Sequence, residues 1–154
     1  MDRVEIRPAE PADAATLVDF QIRMAVESEG LQLDRATVTR GVEAVFADPS
    51  KGRYWVAEAA GRLVGCLLTV PEWSDWRAAT VLWIHSVYVV PEARCRGVFK
   101  KLFLNLKTLV ERSPELAGLR LFVEQRNHLA QQVYESLGMT REHYHLYEWL
   151  KPPS

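Results

Sequence analysis

Apolar and polar positions along the chain follow two periods, and each change of period marks a new element. Alternation with period two, or a short continuous apolar run between turn residues, is typical of a strand. Six segments show such a pattern: 4–7, 54–58, 63–70, 81–90, 119–123 and 141–150. The turn over 60–62 makes the second and third strands a hairpin. The run over 81–90 is too continuous for an edge strand and predicts a central one.

Apolar residues spaced by three and four positions predict four helices between these strands. Their ends carry the expected signals, with Asp34 as an N-cap and Gly138 just past a C-terminus. The predicted helices cover about 11–29, 34–47, 98–112 and 127–137. The segment 71–77, which holds two tryptophans, is predicted to be a loop. The order β-α-α-β-β-β-α-β-α-β indicates an α+β, or mixed α/β, fold with helices on both faces of one mixed sheet.

Composition narrows the classes of protein that fit this pattern. The 154 residues are 48% hydrophobic and carry a formal net charge of −1. This is enough for one core, so we expect a single domain over 1–150 with a short tail over 151–154. The balanced charge argues against a nucleic-acid or anionic-membrane partner recruited by bulk charge.

Two absences favour a cytoplasmic protein. Met1 and Asp2 open a charged N-terminus without the apolar core of a signal peptide, and no apolar run reaches the ~18 residues of a membrane span. The two cysteines, Cys66 and Cys95, have no partner at metal-ligand or redox-motif spacing. We therefore expect reduced thiols and no metal.

A short basic turn follows the central strand and leads directly into the third helix. Arg94, Arg96 and Gly97 lie in this turn, and Lys100 and Lys101 lie in the first turn of the helix. A helix N-terminus presents backbone N–H groups and partial positive charge, which favour a phosphate. The turn is therefore interpreted as a pyrophosphate cradle, although a solvated helix start is the simpler reading of these charges alone.

A second motif follows the fifth predicted strand. Asn127, Ala130 and Tyr134 lie at offsets of zero, three and seven on the fourth helix, hence on one face. Together with the segment Arg94-Cys95-Arg96-Gly97-Val98-Phe99, this motif resembles the GNAT superfamily of N-acetyltransferases. The resemblance covers the element order of essentially the whole chain. It implies one mixed, mostly antiparallel sheet and acetyl-CoA as cosubstrate.

Within the resemblance, residues of both motifs have expected roles. Arg94 and Gly97 match the acyl-CoA pyrophosphate motif, whereas Phe99 replaces its small final residue. Val87, Tyr88 and Val89 are expected to pair with the pantetheine amides as an added strand does, and an N–H near Val87 is the natural oxyanion donor. The predicted cofactor-binding residues are Val87, Tyr88, Val89, Arg94, Cys95, Arg96, Gly97, Val98, Phe99, Lys100, Asn127, Ala130 and Tyr134.

The reaction class implied by the resemblance needs an acid and a base. Tyr134 is the candidate acid for the leaving thiolate, with a core aromatic as the alternative reading. His85 and Glu124 are the candidate bases, because the incoming amine must lose a proton. A hydrogen-bonded core histidine is an equal alternative for His85.

Aromatic and acidic residues are expected to border an acceptor pocket or a dimer contact. A cationic amine can be held by aromatic rings with nearby carboxylates. For any one of these aromatic residues, a surface ring that caps a small core is an equal alternative. The predicted substrate-binding residues are Glu27, Trp73, Asp75 and Trp76, with Ser74 and 144–147 as further border positions.

Two classes of function fit the sequence. The first is an acetyl-CoA-dependent N-acetyltransferase that acts on a primary amine by direct attack in a ternary complex, since neither cysteine is placed to carry an acyl group. The second is a non-catalytic acyl-CoA-binding or partner-binding module of the same fold. The sequence leaves open whether the amine belongs to a small molecule or to a peptide, and whether the chain forms a homodimer.

Overall fold

The computed structural model describes residues 3–153. The predictions made for Met1, Asp2 and Ser154 lie outside these residues. The strands are β1 (Val4–Pro8), β2 (Arg53–Ala59), β3 (Arg62–Ser74), β4 (Ala79–Val89) and β5 (Leu116–Leu121). The α-helices are α1 (Ala14–Glu29), α2 (Arg35–Ala47), α3 (Val98–Arg112) and α4 (His128–Ser136). Short 3-10 turns precede α1, β2 and α3 at Pro11–Asp13, Pro49–Lys51 and Pro91–Ala93.

Contacts within the chain divide it into two compact units, one ending at Phe122 and the other beginning at Val123. The first unit holds the whole sheet and helices α1 to α3. The second holds α4 and the chain after it. Each unit is described by itself below.

The first unit is built on a five-stranded sheet in the order β1-β2-β3-β4-β5. Neighbouring strands are antiparallel from β1 to β4, and β4 pairs with β5 in parallel. Helix α3 makes the crossover that a parallel pair requires. The expectation of a mixed, mostly antiparallel sheet is thereby confirmed.

Helices cover both faces of this sheet, as expected. Gly65 of β3 lies on the face that carries α3, where an added Cβ would lie 3.0 Å from a Val98 methyl carbon. The next residue, Cys66, pairs with Tyr88 on the opposite face, and the Tyr88 ring packs 5.2 Å from that of Phe20 in α1. Buried leucines and valines fill both layers; the largest fully buried side chains are Leu17, Leu67, Leu102, Leu106, Val42, Val56 and Cys66.

The ends of the helices follow the local chemistry that the sequence predicts. The Asp34 side chain accepts a hydrogen bond of 3.0 Å from the Thr37 N–H, so it caps α2. Gly30 ends α1 in the left-handed region with φ of 64°. No helix within residues 3–153 is long and apolar enough to cross a membrane.

Two strand predictions require correction. Strand β3 continues to Ser74, four residues beyond the predicted end, so the loop is only the tip of a long β3–β4 hairpin. Pro71 fits inside it because the β2–β3 ladder ends at Thr69, which leaves no partner strand on that side for the missing N–H. Strand β5 starts at Leu116, three residues before its predicted start.

The predicted strand over 141–150 is wrong in this structure. These residues have no regular secondary structure and are exposed. Tyr144, Leu146, Tyr147 and Trp149 expose 64–93% of their surface. Apolar and polar residues do alternate over 141–150, but a strand also needs a neighbouring strand for its backbone hydrogen bonds. Periodicity along one segment does not supply that neighbour.

Candidate functional site

Strand β4 extends beyond the end of its parallel partner β5, and this leaves part of one edge of β4 open. The β4–β5 ladder ends where Ile84 pairs with Leu121, whereas β4 continues to Val89. Along 85–89 the pairing found in the described part of the chain is with β3 alone. An exposed strand edge presents backbone donors and acceptors to any extended ligand that carries amides.

A bulge interrupts β4 at the start of this open edge. Leu68 pairs with His85 and Cys66 with Tyr88, so Ser86 and Val87 stand opposite the single residue Leu67. Ser86 has a φ of 54°, which is unusual for a residue other than glycine. The bulge bends β4 where it parts from β5, and no period in the sequence signals it.

The predicted cradle has the expected strand–turn–helix geometry. A short turn joins β4 to α3, and Gly97 forms the N-cap of α3 with φ of 78°. No atom lies within 4 Å of a Cβ placed on Gly97, so there is open space beside this backbone. Arg96, Lys100 and Lys101 are exposed around it, whereas Val98 is buried and anchors the helix start. These features fit a diphosphate held by backbone N–H groups at a helix N-terminus.

Arg96 also borders a shallow surface depression of about 400 Å³ beside this turn. Arg62 and Glu92 border the same depression and form an exposed ion pair of 3.5 Å. The depression therefore extends from the turn before α3 toward the β2–β3 turn, and Glu92 pairs with the charge of Arg62 there.

Arg94 does not point freely into solvent but holds three elements together. Its Nε donates to the Val89 carbonyl at 2.9 Å, and its Nη2 donates to Glu27 Oε1 at 2.7 Å. The second oxygen of Glu27 accepts from the Tyr88 hydroxyl at 2.6 Å. The hydrogen bond from Tyr88, then that from Arg94, holds the pKa of Glu27 below its usual range.

These contacts change the interpretation of Glu27. Both of its carboxylate oxygens are engaged, and the guanidinium groups of Arg23 and Arg94 lie 5.4 and 5.5 Å from the Tyr88 ring. A single carboxylate between two cationic guanidinium groups does not favour the binding of a cationic amine. The geometry favours Glu27 as part of the cradle's support over the substrate-binding role that the sequence predicts.

Phe99 packs beside the next aromatic residue of its helix. Its ring is half-buried, and its centroid lies 6.3 Å from that of Phe103, one helical turn further on. A large, partly packed side chain therefore occupies the small position of the motif.

An aromatic row lies on the face of β4 that also carries α1. His85 stacks on Trp83 with ring centroids 6.3 Å apart, and Trp83 stacks on Phe122 at 4.6 Å. Arg120 lies over Trp83 at 5.9 Å and pairs with Glu72 at 3.1 Å. His85 was predicted as a site residue, whereas Trp83 and Phe122 were not. The signal in the sequence is that Trp83 and His85 are two residues apart on one strand and therefore share a face.

The predicted acceptor residues of the β3–β4 hairpin lie near its tip, away from His85. Trp73 and Trp76 are 66% and 92% exposed near the hairpin tip, and Asp75 is exposed between them. Thr80, which pairs with Trp73, precedes His85 by five strand residues, or roughly 17 Å at the usual rise. The structure therefore does not bring Trp73, Asp75 and Trp76 together with His85 or the cradle.

In the second unit, Asn127 begins α4 as its N-cap. Its Oδ1 accepts a hydrogen bond of 3.1 Å from the Ala130 N–H. Gln131 is buried, and its Nε2 donates to the carbonyls of Glu124 and Gln125. The side-chain oxygen of Asn127, a predicted cofactor-binding residue, is thus used by the helix, which leaves its amide N–H₂ as the group for a ligand.

The two titratable candidates of this unit differ in environment. Burial raises the pKa of Tyr134, which is half-buried, so its phenol keeps its proton at neutral pH. Glu124 is exposed and accepts from the Arg126 side chain at 3.0 Å and from its N–H at 2.8 Å. These bonds hold the pKa of Glu124 below its usual range, which makes it a weaker base.

The two cysteine thiols also differ in their environments. Cys66 is fully buried in β3, and burial raises its pKa to about 12. Cys95 is exposed in the turn with φ of 62°. Within residues 3–153, no group of three or more His, Cys, Asp or Glu side chains is arranged to hold a metal ion.

An open strand edge, a basic turn and a helix N-terminus in this order are typical of the acyl-CoA N-acyltransferase fold. The GNAT acetyltransferase family model matches residues 21–139, and the chain belongs to this family. Comparison with curated protein sequences gave no match.

Solved structures agree with this assignment. A possible acetyltransferase from Clostridium difficile 630 is 39% identical, with a TM-score of 0.90 over 97% of this chain and 99% of that one. A predicted acetyltransferase from Clostridium acetobutylicum, solved with acetyl-CoA, is 18% identical with a TM-score of 0.72 over 98% of this chain and 96% of that one. The second likeness concerns the fold alone.

Proposed function

We propose that this protein is an acetyl-CoA-dependent N-acetyltransferase that acetylates a primary amine by direct attack in a ternary complex. The observation that carries the proposal is the open edge of β4 over 85–89, which leads into the left-handed turn and the N-terminus of α3. An extended ligand with amides at one end and a diphosphate at the other matches this sequence of groups.

Different residues of the chain bind different parts of acetyl-CoA. The backbone of 95–98 and the exposed Arg96, Lys100 and Lys101 receive the diphosphate. The open edge at Val87–Val89 pairs with the pantetheine amides, and an N–H near Val87 stabilises the oxyanion. When bound, acetyl-CoA supplies an acetyl group activated as a thioester.

His85 and Tyr134 carry the proton transfers in this proposal. His85 accepts the proton that the amine loses as its nitrogen bonds to the acetyl carbon. Tyr134 donates its phenolic proton to the sulfur as the carbon–sulfur bond breaks, and the raised pKa of Tyr134 keeps that proton in place until then. Glu124 is the second choice as base, because its pKa is lowered by Arg126.

Two features support direct attack and the approach of the amine. The buried thiol of Cys66 keeps its proton, and Cys95 lies in the phosphate turn, so neither is suited to hold an acetyl group. The face with Trp83, His85 and Phe122 offers aromatic rings to the acceptor.

A screen for CoA thiol release over a panel of amines tests the proposal. The panel should span polyamines, amino acids, aminoglycosides, peptide N-termini and lysine side chains. We expect at least one amine to raise thiol release well above the rate without amine, and the product to carry one acetyl group by mass. Binding of acetyl-CoA with no amine-dependent release would instead favour a non-catalytic acyl-CoA-binding module.

A further inference from the structure

Glu27 occupies a position that its own helix disfavours. It lies in the last turn of α1, which carries no basic residue, and a carboxylate there faces the negative end of the helix dipole. The compensation comes from outside the helix, through the hydrogen bonds from Tyr88 and Arg94 at 2.6 and 2.7 Å. The position of Glu27 is therefore explained by its partners and not by α1.

The turn that Arg94 opens is held in a conformation that needs support. Cys95 has a φ of 62°, a left-handed conformation that is strained for a residue with a Cβ. Such conformations persist where the surroundings over-determine them. Arg94 supplies that restraint, because its guanidinium is fixed at Nε by the Val89 carbonyl and at Nη2 by Glu27.

The electrostatics of the same cluster suit an anion nearby. Arg23 and Arg94 each carry one positive charge, and Glu27 carries one negative charge because its pKa is lowered. The three side chains therefore retain one net positive charge beside the turn. Glu27 orients Arg94 without cancelling the attraction for a diphosphate.

We propose that Glu27 is a positioning residue for acetyl-CoA binding, which acts through Arg94 to hold residues 95–98 in their phosphate-binding conformation. The proposal rests on the proposed use of acetyl-CoA. It differs from a role of Glu27 as acceptor ligand or base, and from a role as competitor of the diphosphate for Arg94. The three roles predict different changes in acetyl-CoA affinity and kcat when Glu27 is replaced.

Cys95 provides a readout that needs no acceptor. Cys66 is fully buried, so a maleimide labels Cys95 first, and labelling is followed by mass spectrometry. The acetyl-CoA concentration that halves the labelling rate gives the dissociation constant. Glu27→Gln removes the charge but keeps the size, and Glu29→Gln makes the same charge change at an exposed position two residues on.

We expect Glu27→Gln to weaken acetyl-CoA binding about tenfold, the loss that one charge-assisted hydrogen bond typically brings. Labelling of Cys95 without ligand should accelerate, kcat at saturating acetyl-CoA should stay within about twofold, and Glu29→Gln should match wild type. In an Arg94→Gln background, Glu27→Gln should add no further loss. Tyr88→Phe, which keeps the ring and Arg94, should weaken binding by a smaller factor.

Several outcomes would overturn the proposal. Tighter binding in Glu27→Gln would mean that Glu27 competes with the diphosphate, and a fall in kcat alone would place it with the acceptor. Additive effects of the Glu27 and Arg94 variants would mean that they act separately. If acetyl-CoA fails to protect Cys95 in wild type, the proposed function fails, whereas equal labelling rates of wild type and Glu27→Gln without ligand would overturn the positioning role.

Discussion

At the scale of single residues, the local environment distinguishes the candidate acid from one of the candidate bases. Tyr134 and Glu124 are both near the second motif, yet burial raises the pKa of the first and Arg126 lowers that of the second. Desolvation moves the pKa of Tyr134 further above neutral pH, and the hydrogen bonds from Arg126 move that of Glu124 further below it.

Tyr134→Phe tests the acid role. We expect kcat to fall about 10²-fold, the lower end of the usual contribution of general acid catalysis. The KM for acetyl-CoA should change little, because the ring is retained. Tyr54→Phe, which removes a hydroxyl from a buried tyrosine of β2, serves as the control and should leave kcat unchanged. Equal kcat in wild type and Tyr134→Phe would remove Tyr134 from the proton transfers.

The pH dependence of kcat/KM distinguishes the two bases. Since the pKa of Glu124 is lowered, any limb that it causes lies below the ordinary carboxyl range, and Glu124→Gln should leave the profile near neutral pH intact. His85→Ala should lower kcat/KM near neutral pH, because it removes the proposed base. If neither variant lowers kcat/KM, a water or another residue accepts the proton.

At the scale of elements, backbone conformation and not crowding explains Gly97. Its φ of 78° strains any residue with a Cβ, although no atom would meet that Cβ within 4 Å. Gly41, on the exposed side of α2, has the same open space and no positive φ. The two glycines therefore form a matched pair.

Alanine at these two positions should have opposite effects. Gly97→Ala should lower the free energy of unfolding by about 1 kcal/mol through left-handed strain. Gly41→Ala should raise it by roughly 0.5–1 kcal/mol, because alanine is the better helix former. Urea titrations of both variants measure this; a stabilised Gly97→Ala would contradict the assigned conformation.

An ion-pair cluster joins β1 to β2 and to the turn before α1. Arg7 donates to both oxygens of Asp13 at 2.8 and 3.1 Å and to Glu58 at 3.0 Å. The hydrogen bond from Arg7 lowers the pKa of Asp13. The contribution of ionised Asp13 to the free energy of unfolding is therefore present above its unfolded-state pKa of about 3.9. This contribution is lost as pH falls through the lower folded-state pKa.

Asp13→Asn should lower the free energy of unfolding by about 1–2 kcal/mol at pH 7, and the difference should shrink in strong acid. Asp19→Asn breaks an exposed pair with Arg35 and should cost less than about 0.5 kcal/mol at any pH. Denaturant titrations at pH 7 and pH 2.5 measure both. A loss in Asp13→Asn that does not depend on pH would mean that packing, and not charge, sets its effect.

At the scale of the whole molecule, sequence predicted what is local and missed what depends on neighbours. The helices, the cap at Asp34 and the turn at Gly97 were predictable because their causes lie within a few residues. The extension of β3 past Pro71, the bulge at Ser86 and the absence of a strand over 141–150 depend on which backbone lies alongside. Glu27 was named for its charge, but its hydrogen-bond partners lie 61 and 67 residues away in sequence.

The central claim is that the turn at Gly97 binds acetyl-CoA, and ligand-induced stabilisation tests it most directly. At 100 times the dissociation constant, binding adds about 2.7 kcal/mol, or roughly 5–10 °C in Tm for a chain of this size. Gly97→Glu, which puts charge and bulk beside the turn, should abolish the shift relative to its own ligand-free Tm, whereas Gly41→Glu should retain it. The account is contradicted if wild type shows no shift at saturating acetyl-CoA, or if Gly97→Glu shifts as far as wild type.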